Sequence, residues 1–168
     1  MRRLAVKSIL LLALTAALLT PGASAVAAPP TPADVNNTTR EAGQACAFPI
    51  AVTFTGKQGF NPVPNNPQFP GGIVTAPGQM VTVTNRDTGG SVTVNTNGVF
   101  RLTPNPDGTT TIVAGGNNFL FGEPQLGVTA LATTGPIKLV ANLNTGRIVE
   151  PPDLSGARVR DLCAELAP

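Results

Sequence analysis

From residue 46 onward, apolar and polar side chains alternate along the chain. Phe48, Ile50, Val52 and Phe54 fall on one side of an extended backbone, and Pro49, Ala51, Thr53 and Thr55 on the other. This is the period-two pattern of a half-buried strand. Short runs of the same kind follow at 73–76, 80–85, 91–95, 99–103 and 109–114, with further candidates at 118–121, 128–132, 137–143 and 147–149. Turn residues stand between them: Pro77-Gly78, Thr88-Gly89-Gly90, Asn97-Gly98 and Asp107-Gly108. There glycine tolerates positive φ, and Asn or Asp bonds to the nearby backbone. Strands joined by such short turns are expected to be antiparallel neighbours. Eight to ten strands at this spacing, with no long helix to carry a parallel crossover, predict an all-β antiparallel sandwich, the alternative being a small β-barrel.

The alternation stops at both ends. Near the C-terminus, Asp153 or Ser155 can cap a short helix in which Val159, Leu162, Cys163 and Leu166 recur at i, i+3, i+4 and i+7, one face for the sandwich. Residues 29–44 are rich in Pro, Thr and Asn and poor in apolar side chains, so they read as a flexible N-terminal arm with little order before Ala45. At the start, Arg2, Arg3 and Lys7 precede or open an apolar run from Ser8 to Leu19, which Pro21-Gly22 breaks before the small residues Ala23-Ser24-Ala25. That order is a secretory signal peptide, assigned to residues 1–28, with the mature start at Val26 or Pro29. The apolar run falls short of the about 20 residues that a bilayer-spanning helix needs. The expected organisation is therefore a signal peptide at 1–28, an arm at 29–44 and one β domain at 45–168.

Composition supports this class, because charged residues make up 12% of the chain while Val, Thr, Gly, Asn and Pro are abundant. Arg2, Arg3 and Lys7 leave with the signal peptide, so eight basic residues face nine acidic ones, and these are scattered singly. No basic stripe remains to neutralise phosphates, and nucleic acid is not an expected partner. Cys46 and Cys163, the two cysteines of an exported chain, are expected to form one disulfide that ties the first strand to the C-terminal segment.

The chain has no histidine, which removes the usual general base, the commonest nitrogen ligand for zinc and the relay of a serine or cysteine hydrolase. Ser91 and Ser155, the serines beyond the signal peptide, lack a lysine three residues on. No cofactor is indicated. A glycosidase needs only two carboxylates, and Asp87, Asp107, Glu123 and Glu150 are the candidates. The two aspartates, however, sit in turn motifs, and each glutamate precedes a proline. Calcium would want several converging oxygen ligands, and Asn105, Asp107 and Asn117 are a thin cluster that reads as turn structure instead. The segment 58–72 is long and rich in Pro and Asn, and it carries Phe60, Val63 and Phe69 as a possible binding loop.

Ala45-Cys46-Ala47-Phe48-Pro49 with its alternating strand, the Pro77-Gly78 to Val92 stretch, Asp107-Gly108 and the terminal Arg160-Asp161-Leu162-Cys163 resemble a group of small secreted actinobacterial β-rich proteins of unassigned function. The resemblance implies an exported, disulfide-closed β domain and carries no activity with it. The sequence thus predicts a secreted, non-catalytic module with a binding or structural role, whose partner is a protein, an envelope component or a small apolar ligand. The alternatives are a carboxylate-only glycan-active enzyme and a cell-envelope or spore-coat structural protein.

Overall fold

The computed structural model describes residues 29–62 and 71–168. The residues read as a signal peptide, and Val63 and Phe69 of the proposed loop, lie outside the described residues. The described chain is all-β, with fourteen strands in antiparallel sheets, no closed barrel and one short C-terminal helix. The alternation that begins at Phe48 forms β3 (Ile50–Thr55), which pairs with β6 (Met80–Asn85); β6 pairs in turn with β7 (Ser91–Asn95). Ile50, Val52, Val81 and Val83 on the inward faces of β3 and β6 are fully buried. With β2 (Thr38–Arg40) on the outer side of β3, these strands make a four-stranded sheet.

Two further sheets are reached from it by bends of the chain. One has seven strands, in the order β1 (Thr31–Pro32), β4 (Lys57–Asn61), β5 (Ile73–Thr75), β8 (Val99–Pro104), β9 (Thr110–Gly115), β12 (Ile137–Asn142) and β13 (Arg147–Ile148). The other has three: β10 (Asn117–Glu123), β11 (Val128–Thr134) and β14 (Arg158–Asp161). The chain passes from β3 into β4, from β5 into β6 and from β7 into β8, each time crossing between the four-stranded and seven-stranded sheets. It likewise passes from β9 into β10 and from β11 into β12, where the Gly135 N–H donates to the Gly116 carbonyl at 2.9 Å. Sheets that meet at such a corner are joined by strands that bend from one to the other.

Two of the four expected hairpins are therefore corrected. Thr88-Gly89-Gly90 and Asp107-Gly108 do close the antiparallel pairs β6–β7 and β8–β9. Pro77-Gly78 and Asn97-Gly98 instead carry the chain from sheet to sheet, because β5 pairs with β4 and β8 while β7 pairs with β6. Between Thr55↔Met80 and Gly59↔Thr75 the β5–β6 side contains one residue more than the β3–β4 side, the signature of a bulge. Close approach fixes two glycines at this corner. A Cβ on Gly56 would meet the Gly78 carbonyl carbon at 2.7 Å, and one on Gly98 would run into the Asn118 side chain and meet the Asn117 carbonyl oxygen at 2.6 Å.

The segment 29–44 is also corrected. Expected to carry little order, it supplies β1 against β4 and β2 against β3, joined by a 3-10 turn at Ala33–Asn36. Ala33 is fully buried, its N–H donating to the Gly56 carbonyl at 3.0 Å, and the Asn37 side chain accepts from the Phe54 N–H at 2.6 Å. Pairing to the edges of existing sheets satisfies backbone groups without needing apolar side chains, which is why composition misses it. The C-terminal helix is shorter and later than expected. Val159 lies in β14 and is exposed, and α1 (Leu162–Leu166) is capped by Asp161, whose carboxylate accepts from the Cys163 and Ala164 N–H groups.

Two cores result. Between the four-stranded and three-stranded sheets, Ile50, Val52, Val81, Val83 and Val94 pack with Ala130, Ala132, Leu162 and Leu166. The Cys46–Cys163 disulfide closes this core, with 5.4 Å between its Cα atoms. A second cluster joins Leu120 and Val128 to Ala114, Ile137, Leu139 and Ala141. Among the described residues no helix is long and apolar enough to cross a membrane.

Candidate functional site

Beyond Val52, the inward face of β3 continues to Phe54 just before the chain bends at Gly56. There the space between the sheets is lined by rings instead of aliphatic side chains. Phe54 meets Phe119 of β10 edge to face at 6.4 Å between centroids, and Phe119 stacks on Phe121 at 5.1 Å. Phe100 of β8 joins them around a cavity of about 380 Å³. Four of the seven phenylalanines thus converge here, all half-buried. Side by side in the lining are Gln79 and Thr96, both buried, where the Thr96 hydroxyl donates to Gln79 Oε1 at 3.2 Å and the Thr96 N–H to the Gln79 carbonyl at 2.9 Å. Asn36 and Gln58 also line the cavity, held together by an amide hydrogen bond of 2.9 Å.

A second, polar cavity of about 440 Å³ adjoins the first, and Arg40 lines both. The Arg40 guanidinium lies 5.2 Å from the centroid of Phe121, within cation–π range. Its Nη1 donates to the Thr38 hydroxyl at 2.8 Å and the Thr39 carbonyl at 3.0 Å. Two residues beyond Phe121 on the same strand, Glu123 is 5% exposed. Arg147 of β13 grips it bidentately, Nε to Oε1 and Nη2 to Oε2, both at 2.9 Å, and Gln125 donates to Oε2 at 2.6 Å. The Arg147 hydrogen bonds hold the Glu123 carboxyl below its ordinary range against the opposing effect of burial; Gln125 and the charges of Arg147 and Arg40 add to them. The same pair raises Arg147. A buried carboxylate stays ionised only with such partners.

The residues singled out from sequence are distributed differently. Cys46 and Cys163 form the expected bridge. Phe60 lies on β4, not in a loop, and is 47% exposed with its ring against Gly72. It borders a neighbouring depression with Thr31, Gln58 and Val74; Gln58 lines the aromatic cavity as well, whereas Phe60 does not. The four candidate carboxylates sit on different elements: Asp87 follows β6, Asp107 is in the β8–β9 turn, Glu123 ends β10 and Glu150 follows β13. Asp107 accepts from the Thr109 hydroxyl at 2.6 Å and N–H at 2.9 Å, and these bonds lower its pKa. Asn105 bonds to Thr109 and Thr111 in the same turn. Asn117, at the opposite end of β9, bonds instead to Asn97 and Thr134. Among the described residues no three Cys, Asp or Glu side chains group as metal ligands would.

Sequence reasoning missed Arg40, Phe54, Phe100, Phe119, Phe121 and Arg147 as a group. One signal was present in β10: Phe119, Phe121 and Glu123 recur at i, i+2 and i+4 on one face, and a carboxylate on the inward side of an aromatic strand calls for a cationic partner. The chain matches no protein-family model, and no curated protein or solved structure is similar to it.

Proposed function

We propose that this protein is an exported, non-catalytic β module that binds a small apolar ligand in the aromatic cleft. The observation that carries this reading is the convergence of four half-buried phenylalanines on one cavity of about 380 Å³, within the size of small-molecule sites, which pair apolar walls with a few placed polar groups. Export is supported by the leader pattern at residues 1–28 and by the disulfide, which persists in oxidising compartments. The resemblance to small secreted actinobacterial proteins points to the same setting. The absence of histidine, the placement of Asp87, Asp107 and Glu150 in turns and loops, and the engagement of Glu123 by Arg147 favour binding over turnover. Glycan hydrolysis abolished by Asp107→Ala would reverse that preference.

The direct test uses a neutral fluorescent probe, N-phenyl-1-naphthylamine, whose signal is clean because the chain has neither Trp nor Tyr. Saturable binding is expected. Phe119→Ala, which removes the ring touching both Phe54 and Phe121, is expected to weaken it by up to about tenfold, the scale of one lost aromatic contact pair. Phe60→Ala, outside the cleft, is expected to leave it unchanged. Loss of binding on Phe60→Ala with retention on Phe119→Ala would move the site to the β4 surface.

A further inference from the structure

The aromatic cleft is apolar along its walls but not at its Arg40 border. Arg40 stands over Phe121, a ring of the cleft, and itself lines both the cleft and the polar cavity beside it. Three charged side chains meet around this border: Arg40, Glu123 and Arg147. Arg147 and Glu123 neutralise each other through two hydrogen bonds. Glu41, next to Arg40 in sequence, is engaged by Arg86 at 3.2 Å. One positive charge therefore remains uncompensated where the apolar cleft ends. Arg40 Nη1 is held by Thr38 and Thr39, which orients the guanidinium plane. Among the described residues, its Nε and Nη2 find no acceptor.

Given that the cleft is the binding surface, as proposed above, we infer that its ligand is an amphipathic monocarboxylate, with an aryl or alkyl body among the phenyl rings and the carboxylate on the free edge of Arg40. A guanidinium already positioned by two hydrogen bonds presents paired N–H groups that match a carboxylate, and little rotamer freedom is lost on binding. A ligand lying against Phe121 brings its end group to that cation without having to desolvate a second charge. Repulsion from Glu123 is small, because its charge is spent on Arg147 and its side chain is buried.

The test compares 2-naphthoate with 2-naphthalenemethanol, which share one ring system and differ in charge, each followed by its own fluorescence. The wild-type protein is expected to bind the carboxylate about tenfold more tightly, the scale of a hydrogen bond to a charged group. Arg40→Gln is expected to erase that preference by weakening 2-naphthoate about tenfold more than the alcohol, and Arg40→Lys to keep part of it. Circular dichroism and the thermal midpoint of Arg40→Gln check that the cleft is folded. Equal affinities in the wild type, or equal weakening of both compounds by Arg40→Gln, would overturn the carboxylate assignment and leave the cleft standing. Failure of both compounds to bind the wild type would remove the cleft reading together with it.

Discussion

The two ends of the space between the four-stranded and three-stranded sheets are finished in opposite ways, although β3 contributes to both. At its start, Phe48 and Ile50 are covered by Leu162, Leu166 and the Cys46–Cys163 bridge, and all of these except the half-buried Cys163 are 0–9% exposed. Asn85 reinforces the seal, its buried amide donating to the Leu166 carbonyl at 2.9 Å. At its end, the same inward face presents Phe54, and the rings around it stay half in solvent. A covalent tie and one turn of helix complete the apolar interior at one end; at the other, the bend at Gly56 separates the sheets before the interior is filled. The first end is built to hold the fold together. The second exposes apolar surface that a folded chain ordinarily covers, and a ligand is the natural cover.

The contrast is tested most severely at the closed end. Replacing both cysteines by alanine opens a loop set by a separation of 117 residues, and the chain-entropy model puts the loss at roughly 4 to 5 kcal/mol. Urea unfolding of the double variant should show that loss in the midpoint. A stability unchanged within error would mean that packing alone seals this end.

Truncation on each side of the interior then sharpens the comparison. Leu162→Ala removes a fully buried side chain and is expected to cost about 2–5 kcal/mol while leaving probe affinity intact. Phe54→Ala, half exposed, is expected to cost less than Leu162→Ala in the same unfolding assay but to reduce probe binding. Identical stability losses with no difference in binding would erase the distinction between the two ends.

The smallest effect concerns the acid limb of stability beside the open end. The folded-state pKa of Glu123 lies below its ordinary value of 4.5, so its contribution is full above that pH and is lost as pH falls through the lowered value. Between pH 6 and pH 3 the wild type should therefore lose more thermal stability than Glu123→Gln. Asp107 and Asp153, also lowered by local hydrogen bonds, are common to both proteins and cancel in the difference. Parallel melting curves would show that the Glu123–Arg147 pair adds nothing to folding.

Much of the strand pattern was legible in the chain, and the reason is local. β6 and β7 match their predicted bounds because alternating valines and threonines on either side of Thr88-Gly89-Gly90 leave one way to bury the valines. β1, β2 and β14 were not legible: edge strands are held by backbone pairing, and β14 is exposed at every residue. The turn at Pro77-Gly78 was located correctly but assigned the wrong partner, since a Pro-Gly pair encodes a change of direction and not the sheet in which the next strand lands. The cleft was hidden for a related reason. Phe54, Phe100 and Phe119 come from three strands far apart in sequence, and nothing local marks them as neighbours.

The order of apolar and polar residues, the positions of glycine and proline, and the pair of cysteines were sufficient to specify an antiparallel β protein closed by a disulfide between Cys46 and the C-terminal Cys163. Each of these is a preference of a few consecutive residues and survives without knowledge of the rest of the chain. Which strands share a sheet, where a strand bends out of one sheet into another, and which rings face a common cavity were decided by contacts between distant segments. Those contacts depend on backbone hydrogen-bond partners and close approaches, such as Gly56 against Gly78, that exist only once the sheets have met.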